Sequence, residues 1–324
     1  MHLNDAFTRN KSIHSTFMHH EQALTMAAEG YARTTGRPAI VNVTTGPGGL
    51  NALNGVFGAF VDSVPMFVVS GQVRTETIAR LSNKRLRQLG DQEADIYSTV
   101  RHSVKYFAMP TDEIQAVRAI SCALECLFKG RLGPVWIDIP INIQGLKIMD
   151  DNRATLSSTK LIECFHPNLT DNEPKHSTLK PKMNRLIKKL KSAKRPLFIA
   201  GSGVRISQQQ DTFLKVIERM HMPTVTGWNA HDLLPNSHAC YCGKPGTVGE
   251  RAGNFAVRNA DFVLVMGCRL NIRQVSYNWQ SFAPRAEIFM VDIDRYELEK
   301  MTLNISVKFH FDLKDFFPSI SDAK

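Results

Sequence analysis

The sequence predicts an α/β protein built from two doubly wound parallel-sheet domains, on three observations. At 324 residues, and about 150 residues per domain, the chain has room for two separate cores. Short apolar or β-branched runs alternate with stretches of helical spacing, the pattern of a parallel sheet covered by helices. Several later runs end in Gly or Asp, as strands do where a doubly wound sheet offers its loops to a ligand.

The first strand is expected at Ile13–Met18. A helix over Gln22–Thr35 follows, with Gly36 as its C-terminal stop. Ala39–Thr44 reads as the next strand, Leu50–Phe60 as a helix and Met66–Ser70 as a strand. A helix over Asp112–Lys129 and a strand at Val135–Ile139 complete the first domain, residues 1–149. From Asp150 to His176 the chain is rich in Asn, Asp, Ser, Thr and Pro without a sustained period, so residues 150–181 read as a linker. The second domain, 182–324, opens on a basic amphipathic helix at Lys182–Ala193. Strand Pro196–Ala200 ends in Gly201-Ser-Gly203, and helix Gln208–Arg219 leads to strand Pro223–Thr226. Strand Phe262–Met266 runs into Gly267, and strand Glu287–Val291 into Asp292-Ile-Asp294.

Composition excludes several classes. With 43% hydrophobic and 22% charged residues, the chain is neither collagen-like nor mucin-like nor wholly disordered. The net charge of +10 would suit a polyanionic partner if it were spread over a surface, but eight basic residues lie between Lys180 and Arg195 with no acid among them. Without those eight, 32 basic residues face 30 acidic ones. Leu186, Ile187, Leu190 and Ala193 form an apolar stripe within the run and no aromatic interleaves with it, so a packed helix with a solvated basic face is favoured over a nucleic-acid site. The most apolar stretch, Val56–Val69, is broken by Gly58, Asp62, Ser63 and Pro65, so no membrane span is expected. The N-terminus carries no secretory pattern, which makes the cytoplasm the default compartment. Six cysteines are too sparse for a disulfide framework. Cys122 and Cys126 sit one helical turn apart on an apolar face, as core residues do. His238, Cys240 and Cys242 lack a fourth partner for zinc.

Two local features carry chemistry. His19-His20-Glu21-Gln22 leads directly into a helix; by itself, Glu21 in a first turn is explained by the helix dipole. Further on, Thr44-Thr-Gly-Pro-Gly-Gly-Leu-Asn51 joins a buried strand to a helix. Glycines there let backbone approach a ligand, and helix-start N–H groups point outward. It is not a P-loop, because it lacks the Gly-Lys-Ser/Thr ending.

Together these stretches resemble the thiamine-diphosphate-dependent enzymes, in particular their acetolactate synthase branch. The matching residues, in order, are His20-Glu-Gln22 with Ala28-Glu-Gly-Tyr-Ala-Arg33, Thr45-Gly-Pro-Gly-Gly-Leu-Asn51, Asp62-Ser-Val-Pro65, Ser70-Gly-Gln-Val73, Gln92-Glu-Ala-Asp-Ile96 and Gly133-Pro-Val-Trp-Ile-Asp-Ile-Pro140. Through about Gln144 the match is to the family's pyrimidine-binding domain. A weaker one, through Ile199-Ala-Gly-Ser-Gly203, Gly267-Cys-Arg269 and Val291-Asp-Ile-Asp294, is to its Rossmann-like central domain.

The resemblance implies a carboligase or decarboxylase that uses thiamine diphosphate and Mg2+ on pyruvate or another 2-keto acid. Glu21 is implied as the catalytic acid–base partner of the cofactor's aminopyrimidine, Pro47 and Asn51 as cofactor contacts, and Gln92 as lying toward the substrate side. The family's active sites lie between subunits, which implies a homo-oligomer or a complementing chain. Its flavin-binding members leave FAD open here, at Gly201, Gly203, Arg269 and Asp292; Arg273 is kept in the same stretch, but paired acids are lost. Departures are expected to matter. Roughly 25 residues that open the family's first domain, one strand and a turn, are not matched. The Gly-Asp-Gly motif and downstream Asn of its diphosphate-binding domain, which hold Mg2+, do not occur, so the chain alone is expected to be inactive. Asp91 stands where Phe is common, and Arg74–Gly90 is longer than usual. A non-catalytic remnant or nucleotide-binding regulatory module is the alternative.

Overall fold

A computed structural model describes residues 2–82, 85–147 and 179–321. The chain divides into two compact units, Met1–Asp171 and Asn172–Lys324. The expected linker lies outside the described residues up to residue 178, and its last three positions begin the helix Leu179–Ser192.

The first unit holds a four-stranded parallel sheet in the order β1-β2-β4-β3: β1 Ala39–Val43, β2 Met66–Gln72, β3 Tyr106–Ala108 and β4 Pro134–Pro140. Every residue of β4 is buried, as a strand covered on both faces requires. On one face Val41, Val43, Met66, Val68 and Trp136 pack with Val56, Ala59 and Ile96. On the other, Phe67, Val69, Val135 and Ile137 pack with Ala123, Cys126 and Leu127 of helix Glu113–Phe128. Cys122 and Cys126 are buried there.

Helix Glu21–Thr35 begins one residue before the expected start and stops at Gly36, whose φ of +70° is the left-handed conformation expected of a terminating glycine. Helix Pro47–Val61 starts three residues earlier than its periodicity suggests, because Pro47 takes its first turn. The expected strand Ile13–Met18 is a correction. The segment has no strand structure, and Phe17 is 78% exposed. β1 is the edge of the described sheet and nothing pairs with its outer side among the described residues; a short apolar or β-branched run without a ladder partner does not make a strand.

The second unit carries five parallel strands in the order β6-β5-β7-β8-β9: β5 Pro196–Ala200, β6 Thr224–Thr226, β7 Phe262–Met266, β8 Glu287–Asp292 and β9 Val307–His310. The order reverses between β5 and β7, which is the topological switch point. Helix Leu179–Ser192 buries Met183 and Leu186 against Phe198, Phe213 and Phe309. Its Arg185 and Lys189 pair with Glu287 at 2.7 and 3.0 Å, so part of the basic run is spent on its own sheet. No helix among the described residues is long and apolar enough to cross a membrane.

Candidate functional site

The site is assembled where two helices of the first unit begin side by side. His20, in extended conformation, accepts a hydrogen bond from the Gln22 N–H through Nδ1 at 3.1 Å, which caps the helix and makes Glu21 its first residue. This helix lies close against Pro47–Val61: a Cβ added at Gly55 would fall 2.4 Å from Thr25 Oγ1. Arg33 braces the pair, donating to Glu29 and to Asp62 at 2.6 Å each. The motifs Ala28–Arg33 and Asp62–Pro65 are thus a cross-helix clasp. At the other end, Asn51 Nδ2 donates to Glu21 Oε2 at 3.1 Å.

Below this pair runs the glycine turn. Gly46 has φ +58° and ψ −115°, and a Cβ there would sit 1.8 Å from the carbonyl oxygen of Gln92. Only glycine permits that approach. A Cβ at Gly48 would meet Thr44 Cγ2 at 2.7 Å and Glu21 Oε1 at 3.3 Å. Gln92 itself has φ +59°, and its side chain is exposed. Its neighbours serve structure: Glu93 accepts from the N–H groups of Ala79 (2.6 Å), Leu89 (3.0 Å) and Gly90 (3.1 Å), and Asp95 caps the helix Ile96–Val100. Glu21, Pro47, Asn51 and Gln92 are therefore brought to one face, with Pro47 and Asn51 exposed and Glu21 half-buried.

A polar network lies beneath that face. Gln72 Oε1 accepts from Thr45 Oγ1 and from the Val73 N–H, both at 2.9 Å, while Gln72 Nε2 donates to the Ala94 carbonyl at 3.1 Å and to Asp138 Oδ2 at 2.9 Å. Asp138 Oδ1 accepts from Ser70 Oγ at 2.6 Å, and Ser70 accepts from Trp136 Nε1 at 2.8 Å. Burial pushes the Asp138 carboxyl up to about 7, against the pull of its hydrogen bonds from Ser70 and Gln72. In the sequence, Ser70, Gln72, Trp136 and Asp138 stand out only as members of the family-like motifs. The available signal was an acid in the middle of an otherwise apolar buried strand.

In the second unit Gly201, Gly203, Arg269 and Asp292 follow or end strands β5, β7 and β8 at the carboxyl edge of the sheet. The glycines make room for backbone: a Cβ at Gly201 would lie 2.2 Å from the Gly267 carbonyl oxygen, and one at Gly203 would lie 2.7 Å from Gly267 Cα. The Gly201 N–H donates to Met266 O at 2.9 Å and the Gly203 N–H to Gly267 O at 3.0 Å. Arg269 Nη1 is 3.9 Å from Glu297, and Asp292 Oδ1 accepts from the Asp294 N–H at 2.9 Å. A cavity of about 370 Å³ opens in this unit, lined by Trp228, His231, Lys244, Val248, Gly249 and Glu250; none of the four residues lines it.

Comparison with known proteins gives two family-model matches, to the thiamine pyrophosphate enzyme N-terminal TPP binding domain over residues 1–98 and to the thiamine pyrophosphate enzyme central domain over residues 183–319. The chain belongs to the thiamine pyrophosphate enzyme family. Among its relatives, an acetolactate synthase large subunit of Lactococcus lactis is 31% identical over 99% of this chain and 51% of its own length. A probable acetolactate synthase large subunit of Methanococcus aeolicus is 32% identical over 96% and 48%. The isozyme 1 large subunit of acetolactate synthase from Escherichia coli is 28% identical over 92% and 49%. The chain spans about half the length of the curated relatives it matches.

By their chemistry, the residues present at the first site suit an aminopyrimidine. The Glu21 carboxyl and the exposed Asn51 amide, bonded to each other, offer an acceptor and a donor for a heterocycle's polar edge, and Gly48 lets Thr44 and Glu21 pack closely beneath them. They do not supply the metal: no group of three His, Cys, Asp or Glu side chains among the described residues can hold an ion. In the second unit the N–H groups of Gly201 and Gly203 are already bonded to β7 and its turn, so they do not form a free phosphate cradle for a flavin nucleotide.

Proposed function

We propose that this chain forms the pyrimidine-binding side of a thiamine-diphosphate-dependent carboligase or decarboxylase acting on pyruvate or another 2-keto acid. The observation that carries the reading is the Glu21–Asn51 pair at two adjoining helix starts, above Gly48 and beside Gln92. When bound, thiamine diphosphate supplies the electron sink that decarboxylation of a 2-keto acid requires. Glu21 exchanges a proton with the aminopyrimidine ring nitrogen, and Asn51, bonded to Oε2, leaves Oε1 to do so. Pro47 stiffens the turn against the ring, and the exposed Gln92 amide contacts the keto acid.

The diphosphate and Mg2+ are held by a part outside the described residues, which a partner subunit or a complementing chain brings to this face. Exposed Met26, Leu50 and Phe57, on the two helices that carry Glu21 and Asn51, support an apolar face that such a partner covers. FAD binding at Gly201, Gly203, Arg269 and Asp292 has only their shared sheet edge in its favour, and a flavin spectrum of the purified chain decides it.

The test supplies thiamine diphosphate, Mg2+ and pyruvate to the purified chain, with and without the diphosphate-binding domain of a relative. Cofactor binding and pyruvate consumption are expected only with that domain. Glu21→Gln should then remove most exchange of the thiazolium C2 proton; an unchanged exchange rate refutes the role of Glu21. Neither binding nor consumption, domain supplied, leaves the non-catalytic alternative.

A further inference from the structure

We propose that Gln72 and Asp138 are positioning residues: Asp138 orients the Gln72 amide, and Gln72 clamps Thr45 of the glycine turn to Ala94 of the segment that carries Gln92. The inference rests on the thiamine diphosphate reading and deepens it. Neither residue can meet a ligand, since Gln72 is 5% and Asp138 1% exposed, so both act through others.

Gln72 fills its whole hydrogen-bonding capacity, two acceptor bonds on Oε1 and two donor bonds on Nε2. The amide has only one orientation that does this. Thr45 and the Val73 N–H donate, so they need the oxygen; the Ala94 carbonyl and the Asp138 carboxyl accept, so they need the nitrogen. Without Asp138, one donor is left unpaired in a closed interior and the flipped amide loses half its discrimination. The clamp closes across the contact that leaves no slack, Gly46 against the Gln92 carbonyl. Thr45 and Gly46 lead into Pro47 and Gly48, below Glu21. Ala94 lies two residues from Gln92, and its carbonyl also accepts from the Ile96 N–H at 2.9 Å. One buried amide thus fixes the distance between the cofactor side and the substrate side of the site. A network needed only for the sheet would stop at Ser70, Trp136 and Asp138. This one leaves the strands and ends on the two loops.

The experiment is residue-resolved amide hydrogen exchange on the full chain. In Asp138→Ala, exchange is expected to rise about tenfold at Val73, Leu50, Glu93 and Ile96, while helix Glu113–Phe128 keeps its protection. Asp138→Asn, which retains an acceptor for the Gln72 amide, should stay near wild type. Gln72→Met, of similar length but with neither donor nor acceptor, repeats the Ala result and serves if Asp138→Ala does not fold. An increase spread evenly over the first unit, or none at Leu50 and Glu93, overturns the proposal. With a supplied diphosphate-binding domain, Gln72→Met should also weaken thiamine diphosphate binding about tenfold, and unchanged affinity overturns the positioning role. If wild type binds no cofactor at all, the functional reading falls, while the exchange data still decide the clamp.

Discussion

Replacing Asp138 by Asn should abolish a pH dependence of stability that the wild-type first unit carries between about pH 4 and 7. The carboxyl is buried, which pushes it from 3.8 up to about 7, although hydrogen bonds from Ser70 and Gln72 and the charge of Arg80 favour ionisation; Asp95 opposes it. The unfolded chain releases this proton near the ordinary carboxylate value, while the folded chain keeps it to about 7. Over that window the folded state holds more protons, so this group's contribution is fullest at low pH and is lost as pH rises. Three pH units at about 1.4 kcal/mol each amount to about 4 kcal/mol between pH 4 and 7, with no further change above. Asn cannot ionise, so the stability difference between the two chains should shift by about 3 kcal/mol between pH 5 and 8, in favour of Asn at the higher pH. Urea unfolding read by Trp136 emission measures it, in a background where Trp228 and Trp279 are Phe so that the signal belongs to the first unit. Stability curves that run parallel across this range would refute the reasoning.

Arg33→Met breaks the clasp to Glu29 and Asp62 and should lower the first unit's stability by about 2 kcal/mol in the same urea assay. Gly46→Ala forces a Cβ against the Gln92 carbonyl at a positive φ; a loss of at least about 2 kcal/mol, with displacement of residues 90–95 visible in a crystal structure, is expected. Arg185→Met removes a partly exposed pair to Glu287, which keeps Lys189, so the second unit should melt within about 0.5 kcal/mol of wild type. The same change should weaken retention on a polyanion column without creating or removing sequence selectivity.

Legibility followed local strength of signal. Glu21 at a helix start and the glycine turn were readable because caps, glycine and proline act on their immediate neighbours. So were strands β5 and β7, which run in the structure over the residues expected of them, Pro196–Ala200 and Phe262–Met266, since each is a short apolar run with both faces covered. Ile13–Met18 failed because a strand is a pairing, and the partner is not written in the segment. β3 and β9, three and four residues long, are too short to show a period. Helix Arg251–Asn259, with only Gly253 and Val257 buried, offers little apolar stripe to read. The Gln72–Asp138 clamp was invisible for another reason: its members come from β1's turn, β2, β4 and the segment before Ile96, and only tertiary structure makes them neighbours.

The two glycine-rich strand ends show what such a signal specifies. After β1, Gly46 and Gly48 give up their side chains to the Gln92 carbonyl and to the surroundings of Glu21, so close approach brings chemistry-bearing groups of different elements to one open face. After β5, Gly201 and Gly203 give up theirs to Gly267, and the approach is backbone on backbone with the N–H groups spent. Glycine after a strand of such a sheet thus predicts contact at the sheet's carboxyl edge, and the identity of what arrives decides whether a site results. In the first unit the arriving groups are a carboxyl, two amides and the Gln92 carbonyl, from a segment that the buried Gln72 holds at Ala94. That difference supports the first unit as the one that meets the cofactor and gives the glycines of the second a packing role.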